Sequence, residues 1–192
     1  MFHMKQLTDE TLKILNTYVE LLYKWNDRLN LTSYTKREFY SVALVDCWVL
    51  LELLKGLKIK QFADVGTGYG LPGVVLKILD PSLEITLIDV SEKKIAFLEY
   101  VSKILKLDFK IYKKKLPDKS WVKQFDVIVS KASMKEEMLI KVARQHLKKE
   151  GKLIYYHGMT LPGDFSDFPL IGKITYKRED RTVSNILIRK GI

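Results

Sequence analysis

The stretch Asp64-Val65-Gly66-Thr67-Gly68-Tyr69-Gly70-Leu71-Pro72-Gly73 lies between a short apolar run and a segment with helical periodicity. This order predicts a strand, a glycine-rich turn and a helix in direct succession. Glycines in such a turn permit a sharp bend and let a ligand approach the backbone closely. Pro72 suits the first turn of the helix, because the N–H that proline lacks would have no partner there.

Beyond this turn, short apolar runs alternate with helical patterns. The candidate strands are Phe62–Val65, Ile85–Asp89, Phe109–Tyr112, Phe125–Val129 and Leu153–Tyr156. The candidate helices are Pro72–Leu79, Glu92–Leu105 and Lys135–Leu147, with Ser91 as an N-cap. Strands that alternate with helices imply right-handed crossovers and a parallel sheet. The predicted fold class is therefore α/β, Rossmann-like, with a mostly parallel sheet.

The two ends of the chain differ from this middle part. Met1–Leu57 reads as helical: Thr8 can cap a first helix, and Thr35-Lys36-Arg37-Glu38 has the pattern of a capping box. After a loop at Pro162–Pro169, two alternating runs predict a closing antiparallel pair, at Lys173–Arg178 and Ser184–Arg189. We expect one domain over 1–192, in which a helical extension (1–57) packs on the α/β core (58–192).

The composition bears on the location of the protein and on the class of its partners. The longest apolar stretch, Val42–Leu54, is broken by Asp46 and Glu52 and is not expected to span a bilayer. No export signal is visible, and Cys47 is the only cysteine, so we expect a cytoplasmic protein without an internal disulfide. A net charge of +10 favours a polyanionic partner such as RNA, although a lysine-rich solvated surface is the alternative.

An acidic residue follows the glycine turn at the distance expected of a nucleoside site. Asp89 lies nineteen residues beyond Gly70, at the end of the next strand, where its carboxylate can accept hydrogen bonds from ribose hydroxyls. Gly68-x-Gly70-x-x-Gly73 also matches a dinucleotide fingerprint, so NAD is one alternative, and a turn without any ligand is another.

Asp64 distinguishes between the possible ligands of the turn. A carboxylate at the entrance of the turn would repel a pyrophosphate, whereas S-adenosylmethionine has no phosphate and carries an ammonium and a sulfonium that a carboxylate attracts. The sequence therefore favours an S-adenosylmethionine-dependent methyltransferase fold.

Further candidates follow the third and fourth strands. A buried strand delivers Ser130 and Lys131 to the carboxyl edge of the sheet, where open α/β sheets bind ligands. Lys131 is either a site residue or a solvated lysine, and Lys113–Lys115 is either an RNA contact or a solvated run. The scattered histidines His3, His146 and His157 predict no metal site.

At these residues the sequence resembles the bacterial small-subunit rRNA guanine-N7 methyltransferase family, RsmG or GidB. The resemblance runs from about Leu21 to Gly158. It is carried by Trp25-Asn26, Asn30-Leu31-Thr32, Asp64–Gly73 with its Leu-Pro-Gly ending, Thr86–Asp89 followed by Lys93-Lys94, and Phe125–Ala132. The family implies S-adenosylmethionine as methyl donor and 7-methylguanosine in a decoding-region loop of 16S rRNA as product.

The resemblance also implies roles for individual residues. By this resemblance, Gly66 and Leu71 would contact the cofactor. Asp64, Gly68 and Gly70 in the same turn are further candidates for cofactor binding from the residues themselves. Asp89 would hold its ribose, and Lys115 and Leu116 would lie near its adenine. Lys131, where the family usually has an arginine beside cofactor and target base, is the candidate catalytic residue. The implied partner is 16S rRNA or the small subunit; we expect a monomer without metal or membrane association.

The chain departs from the family pattern at several positions. The acidic residue after the third strand is replaced by the Lys-Leu-Pro sequence around Leu116. A His-x-x-Asp-Ser motif reads Ala43-Leu44-Val45-Asp46-Cys47 and keeps only the aspartate, and a lysine before Gly158 is replaced by His157. Arg181 lies near a family arginine, although its spacing fits poorly. These departures bear on which nucleotide is methylated.

The expected chemistry agrees with the residues present. Guanine N7 has a lone pair and no proton, so its methylation needs alignment rather than a general base. A small-molecule or protein methyltransferase and a non-catalytic RNA-binding relative stay open as alternatives.

Overall fold

A computed structural model describes residues 7–131, 133–158, 162–180 and 182–191; His3 and Arg181 lie outside these ranges. The strands are β1 (Gln61–Val65), β2 (Glu84–Asp89), β3 (Lys110–Lys113), β4 (Phe125–Ser130), β5 (Leu147–His157), β6 (Leu170–Lys177) and β7 (Val183–Lys190). The helices are α1 (Asp9–Leu29), α2 (Lys36–Glu38), α3 (Leu44–Gly56), α4 (Gly73–Leu79), α5 (Glu92–Leu105) and α6 (Glu136–His146). A π-helical turn, Phe39–Ala43, joins α2 to α3.

The strands form one sheet in the order β3-β2-β1-β4-β5-β7-β6. The five strands β1 to β5 are parallel, and β7 runs antiparallel to both of its neighbours. The α/β fold class, the mostly parallel sheet and the closing antiparallel pair predicted from the sequence are confirmed.

Several predicted boundaries differ from the structure; β6, for example, begins at Leu170 rather than at Lys173. β3 begins at Lys110 rather than Phe109, whose side chain packs against the main core instead. β5 extends back to Leu147, which pairs with Phe125, and the ladder resumes at Lys152 after an irregular stretch. Glu150 has a positive φ in that stretch, so the backbone bends there before the regular pairing begins.

The central strands are buried on both faces, as expected of a parallel sheet between helices. One face packs against α1, α3, α4 and α5, and the other packs against α6. Alternation along β1 separates the two cores, because Phe62 belongs to the first and Ala63 and Val65 to the second. The larger core includes side chains of the N-terminal helices, so residues of the extension and of the sheet share one interior.

The N-terminal helices begin at the predicted caps. The Thr8 hydroxyl accepts the Thr11 N–H (3.1 Å), and Thr35 and Glu38 form the predicted capping box. The buried face of α1 contains Tyr18, whose hydroxyl donates to the Tyr69 carbonyl (2.9 Å). This hydrogen bond ties the first helix directly to the glycine turn.

The connection from β3 to β4, residues 114–124, contains no helix and is held by a buried histidine. His146, at the end of α6, accepts the Asp118 N–H at Nε2 (3.0 Å) and lies 2.5 Å from the Trp121 carbonyl through Nδ1. Nδ1 must therefore carry the proton, so the ring is neutral in this arrangement. Burial lowers the pKa of His146, opposed by its hydrogen bond to Trp121.

We expect this histidine to make stability depend on pH. The pKa of His146 is lower in the folded chain than the value of about 6.5 in an unfolded one, so the unfolded state binds more protons between these values. Its contribution to stability is therefore complete above about pH 6.5 and is lost as the pH falls below it. Urea unfolding from pH 7.5 to 5.5 should show this loss.

The matched variant is His146→Gln, which keeps one donor and one acceptor but does not titrate. Groups common to both proteins cancel in the difference between the two pH profiles. We expect that difference to shrink toward acidic pH; parallel profiles would show that His146 does not titrate differently on folding.

Candidate functional site

A cavity of about 590 Å³ opens at the carboxyl ends of β1, β2 and β4. The glycine turn, the end of β2, the residues after β3 and β4, and a segment after α1 form its walls. The residues that line it are Leu31–Tyr34, Val65–Tyr69, Leu71, Ile88–Val90, Lys94, Lys114–Leu116, Lys131, Ser133 and Met134. Of the predicted site residues, the cavity brings together Gly66, Gly68, Leu71, Asp89, Lys115, Leu116 and Lys131.

The glycine turn depends on positive backbone angles. Gly66 and Gly68 have φ values of 71° and 63°, which side chains rarely adopt. The N–H groups of Gly66 and Thr67 both donate to the Ile88 carbonyl (2.8 and 3.1 Å), which fastens the turn to the end of β2. A Cβ at Gly66 would lie 2.2 Å from the Ser133 Cβ, whereas one at Gly68 would have no neighbour within 4 Å. Backbone at Gly68 therefore faces open space in the cavity wall.

Asp64 lies beneath this turn and not in the cavity, contrary to our expectation of a carboxylate facing the ligand. It is fully buried, and its Oδ2 accepts the Thr67 hydroxyl (2.7 Å) and the Gly73 N–H (2.9 Å). Its Oδ1 is buried without a hydrogen-bond partner in the described part of the chain. Burial raises the pKa of Asp64 to about 6, opposed by these two hydrogen bonds.

Gly70 and Gly73 also serve the interior rather than the cavity. A Cβ at Gly70 would meet Val74 at 2.4 Å, and one at Gly73 would lie 2.8 Å from Asp64 Oδ2. Pro72 is the residue before α4, which begins at Gly73, one position later than predicted. The close approach of Asp64 to the first turn of α4 thus requires glycine at position 73.

Asp89 is held at the cavity wall by backbone donors. Its Oδ2 accepts the Gly68 N–H and its Oδ1 accepts the Ser91 N–H, both at 2.9 Å. The Lys94 ammonium lies 3.7 Å from Oδ2. Each carboxylate oxygen has a further lone pair, so two donors such as the hydroxyls of a ribose have acceptors here.

The three lysines after β3 have different surroundings. Lys113 pairs with Glu92 (2.8 Å) and Lys114 with Asp118 (2.7 Å). Lys115 has no ion-pair partner among the residues that the structure describes, and it lines the cavity. The run is therefore neither a uniform basic patch nor fully solvated.

Lys131 is not a solvated lysine. Its side chain is 9% exposed, and its Nζ lies 3.3 Å from Oδ2 of the fully buried Asp46 in α3. The rings of Tyr34 and Tyr156 each lie 5.5 Å from the ammonium. Lys131 also lines the cavity, so its ammonium is held at the wall by a carboxylate behind it.

Asp46 is shared with a second cation that the sequence did not reveal as a partner. Arg178, directly after β6, donates from Nε to Oδ1 (2.7 Å) and from Nη2 to Oδ2 (2.9 Å), and the Tyr176 hydroxyl donates to Oδ1 (2.7 Å). Two cations and one carboxylate give this group a net charge of +1. The sequence contained one signal of this charge group, which is Asp46, the aspartate that the chain keeps from the family motif. A buried carboxylate requires a cationic partner.

The segment after α1 forms a wall of the cavity, although the sequence predicts only a turn there. Asn30 has φ 48° and ends the helix, and the Asn26 side chain accepts the Thr32 N–H (2.8 Å). The Tyr23 hydroxyl donates to the Tyr34 carbonyl (2.6 Å). These bonds hold residues 31–34 at the cavity wall. Ser130, by contrast, is buried and donates to the Val65 carbonyl (2.9 Å), which joins β4 to β1.

Metal sites and membrane-spanning helices are absent from the described residues. No three metal-ligating side chains come together there. No helix in that part of the chain has the length and apolarity needed to cross a membrane.

The family model and the similar proteins all indicate one family. The family model described as "GidB: rRNA small subunit methyltransferase G" matches residues 11–167. Ribosomal RNA small subunit methyltransferase G of Desulfitobacterium hafniense is 35% identical over 165 residues, covering 80% of this chain and 65% of the relative. The Mycoplasma capricolum protein of that name is 33% identical, covering 75% and 63%. The chain thus spans slightly less than two thirds of the length of these two relatives.

A shorter relative is covered more fully. The protein of the same name from Helicobacter pylori is 30% identical over 154 residues, covering 80% of this chain and 85% of the relative.

Solved structures agree on the fold. TrmN from Thermus thermophilus superposes with a TM-score of 0.58 at 15% identity, over 79% of this chain and 50% of that one. A SAM dependent methyltransferase from Aquifex aeolicus gives 0.56 at 13% identity, over 82% and 94%. At these identities the likeness shows a methyltransferase-type Rossmann-like fold.

Gly66 and Gly68 give a matched test of the geometry of the turn, because only Gly66 is closely packed. Gly66→Ala and Gly68→Ala impose the same backbone strain, about 1–2 kcal/mol each, but only the first adds a clash with Ser133. We expect urea unfolding to show a larger loss of stability for Gly66→Ala. Adding Ser133→Gly should remove the excess and leave Gly66→Ala close to Gly68→Ala.

Equal losses for the two single variants, or no recovery with Ser133→Gly, would contradict the close packing of the turn against Ser133.

Proposed function

The chain belongs to the GidB family, rRNA small subunit methyltransferase G, and from this we propose that it transfers a methyl group from S-adenosylmethionine to N7 of a guanine in 16S rRNA. The observation that carries the proposal is the extent of the family match. Residues 11–167 include every residue that lines the cavity, so the whole site lies within the region of similarity. The match does not favour a small-molecule methyltransferase or a non-catalytic relative.

The cavity suits the proposed methyl donor. Asp89 offers acceptors for its ribose hydroxyls, and the backbone at Gly68 leaves room for close approach. Leu116 and Ile88 supply apolar surface beside Asp89, where we place the adenine. When bound, S-adenosylmethionine supplies the methyl group, activated by its sulfonium.

Asp64 acts in this proposal through the turn. Its carboxylate fixes the Thr67 hydroxyl and the Gly73 N–H, and thereby the backbone of Gly66 and Gly68 at the cavity wall. The Asp64 carboxylate lies beneath the turn and does not line the cavity, so we assign it a positioning role in place of direct binding.

Alignment is the main contribution of the protein to N7 chemistry. Because N7 carries a lone pair and no proton, no side chain has to remove one. Holding two reacting groups in line supplies roughly 7–11 kcal/mol of the barrier. The segment 31–34 and Lys131 lie at the cavity walls where they can fix the base relative to the methyl group.

Lys131 is suited to bind an acceptor near the reacting atom, such as guanine O6, an RNA phosphate or the donor's carboxylate. Methylation makes the base cationic, so an ammonium directly facing N7 would oppose the reaction. Asp46 holds the ammonium at the wall, and the nearby rings of Tyr34 and Tyr156 restrict its motion. We therefore propose Lys131 as the catalytic-site residue that orients the substrate.

We further propose that the chain acts as a single domain and as a cytoplasmic monomer on 16S rRNA, free or within the small subunit. The charge of +10 supports a polyanionic substrate.

The product is the direct test of this proposal. Purified protein, labelled S-adenosylmethionine and 16S rRNA or small subunits lacking the modification should yield labelled 7-methylguanosine after digestion and mass spectrometry. Label on ribose, on another base or on protein alone would reject the substrate assignment.

Lys131→Ala should lower kcat/KM for RNA at least tenfold, about 1.4 kcal/mol of transition-state stabilisation. Arg178 and Tyr176 still bind Asp46 in this variant, so we expect it to fold. Lys131→Arg should retain much of the activity, although its planar fork binds acceptors differently from a point charge. Steady-state methyl transfer with folded variants measures both; a wild-type rate for Lys131→Ala would remove Lys131 from the mechanism.

A further inference from the structure

A second cleft, of about 230 Å³, lies outside the cavity and shares none of its lining residues. Four aromatic residues line it, Phe62, Tyr112, Trp121 and Phe125, together with Lys110 and Lys148. The Phe62 side chain belongs to the core on the opposite face, which leaves three rings on this side. We call it the aromatic cleft.

The cleft exists because one part of the sheet lacks a covering helix. α6 covers β4 and β5 on this face, but the connection 114–124 contains no helix to cover β2 and β3. Thr86, Lys110 and Tyr112 line the cleft, whereas Leu87 and Ile111, which alternate with them, belong to the core on the opposite face. Trp121 is the main side chain of the connection that lies over these strands.

The aromatic rings are held in place before any ligand arrives. Tyr112 and Trp121 meet edge to face at 4.8 Å, and Trp121 lies 6.2 Å from Phe125. The Trp121 backbone is fixed by Asp118 and by His146. Tyr112 is nevertheless 41% exposed, so part of its ring is open to a stacking partner.

The charge around the rings favours a polyanion. Lys110 has no ion-pair partner in the described ranges, and Lys148 pairs with Asp126 (2.8 Å), the one carboxylate among the described lining residues. Exposed aromatic rings beside lysines are the combination that binds single-stranded nucleic acid, by base stacking and phosphate contact.

The aromatic cleft lies toward the amino ends of β1, β3 and β4, and the contact between Lys114 and Trp121 connects it to the proposed active site. Lys114 lines the cavity, and its ammonium lies 4.4 Å from the centre of the Trp121 ring. Lys110 and Lys114 are only four positions apart in the chain, about 13 Å if extended. An RNA strand with one nucleotide in the cavity therefore needs to cross only the Lys114–Trp121 contact to reach the cleft.

We propose that the aromatic cleft binds a nucleotide of the RNA substrate other than the methylated guanine, with its base on Tyr112 and its phosphate near Lys110. This inference rests on the proposed function for the identity of the substrate. It assigns to this face of the sheet a share of substrate affinity and no part in the methyl transfer itself.

The test compares Tyr112→Ala with wild type in RNA binding by anisotropy and in steady-state kinetics. Loss of one base–aromatic stack should weaken RNA binding and raise the KM for RNA roughly five- to hundredfold, with kcat and S-adenosylmethionine affinity unchanged. Tyr112→Phe should bind like wild type, because it keeps the ring. Lys110→Ala should make the log–log salt slope shallower by about 0.7.

Tyr100→Ala is the matched control. Tyr100 is 37% exposed and packs against Trp25 on the opposite face of the sheet, 5.3 Å between ring centres, so its loss should leave RNA affinity unchanged. Should Tyr112→Ala fold poorly, Tyr112→Leu retains apolar contact with Trp121 without a ring and should show the same loss of RNA binding.

The outcomes separate this inference from the proposed function. RNA methylation with normal KM in Tyr112→Ala or Tyr112→Leu overturns the cleft and leaves the proposed function intact. RNA binding that depends on Tyr112 without methyl transfer to guanine N7 supports the cleft and overturns the proposed function. A loss in Tyr100→Ala as large as in Tyr112→Ala also overturns the cleft, because the effect would then not be local.

Discussion

The site depends above all on one buried carboxylate, Asp64. A single oxygen of this residue accepts both the Thr67 hydroxyl and the Gly73 N–H, and so connects the end of β1, the glycine turn and the start of α4. Burying a charge is costly, and its raised pKa reflects that cost. In return the turn has a fixed shape, and its Gly68 N–H is aimed at Asp89 on the next strand. The two acidic residues thus have different roles: Asp64 fixes the backbone of the turn, and Asp89 faces the cavity.

The second organising element is the charge group centred on Asp46. It joins α3 of the N-terminal extension to Lys131 after β4 and to Arg178 after β6. Asp46 is the shared member of this group: without it both cations would lose their partner, whereas loss of Lys131 leaves Arg178 bound to the carboxylate. The extension is therefore part of the site: it provides the aspartate that positions Lys131 and the segment 31–34 that forms a wall of the cavity.

The sequence predicted the features that depend on local order, and missed those that depend on contacts far apart in the chain. The glycine turn, the parallel strands and the caps at Thr8 and Thr35 follow from local patterns, and the structure confirms them. Ser91 precedes α5 as predicted, but its side chain makes no capping hydrogen bond. The expectation that the Asp64 carboxylate faces the ligand was wrong, because it rested on the charge of Asp64 and not on the strand face of its side chain. Asp64 shares that face with Phe62, and the face is directed toward the helices. Lys131 could not be distinguished from a solvated lysine without the fold that brings Asp46 and Arg178 to it. The start of β3 was misplaced by one residue because Phe109 is equally suited to a strand and to the core.

The position of β7 has a consequence for the order in which the protein matures. β7 lies between β5 and β6, although it follows both in the chain, so β6 has no neighbour in the sheet until β7 has been synthesised. Arg178 lies between these two strands and cannot settle against Asp46 before they pair. During translation, the cavity wall at Lys131 is thus among the last parts to become rigid. A nascent chain from which β7 has not yet emerged would have the glycine turn but not the completed charge group.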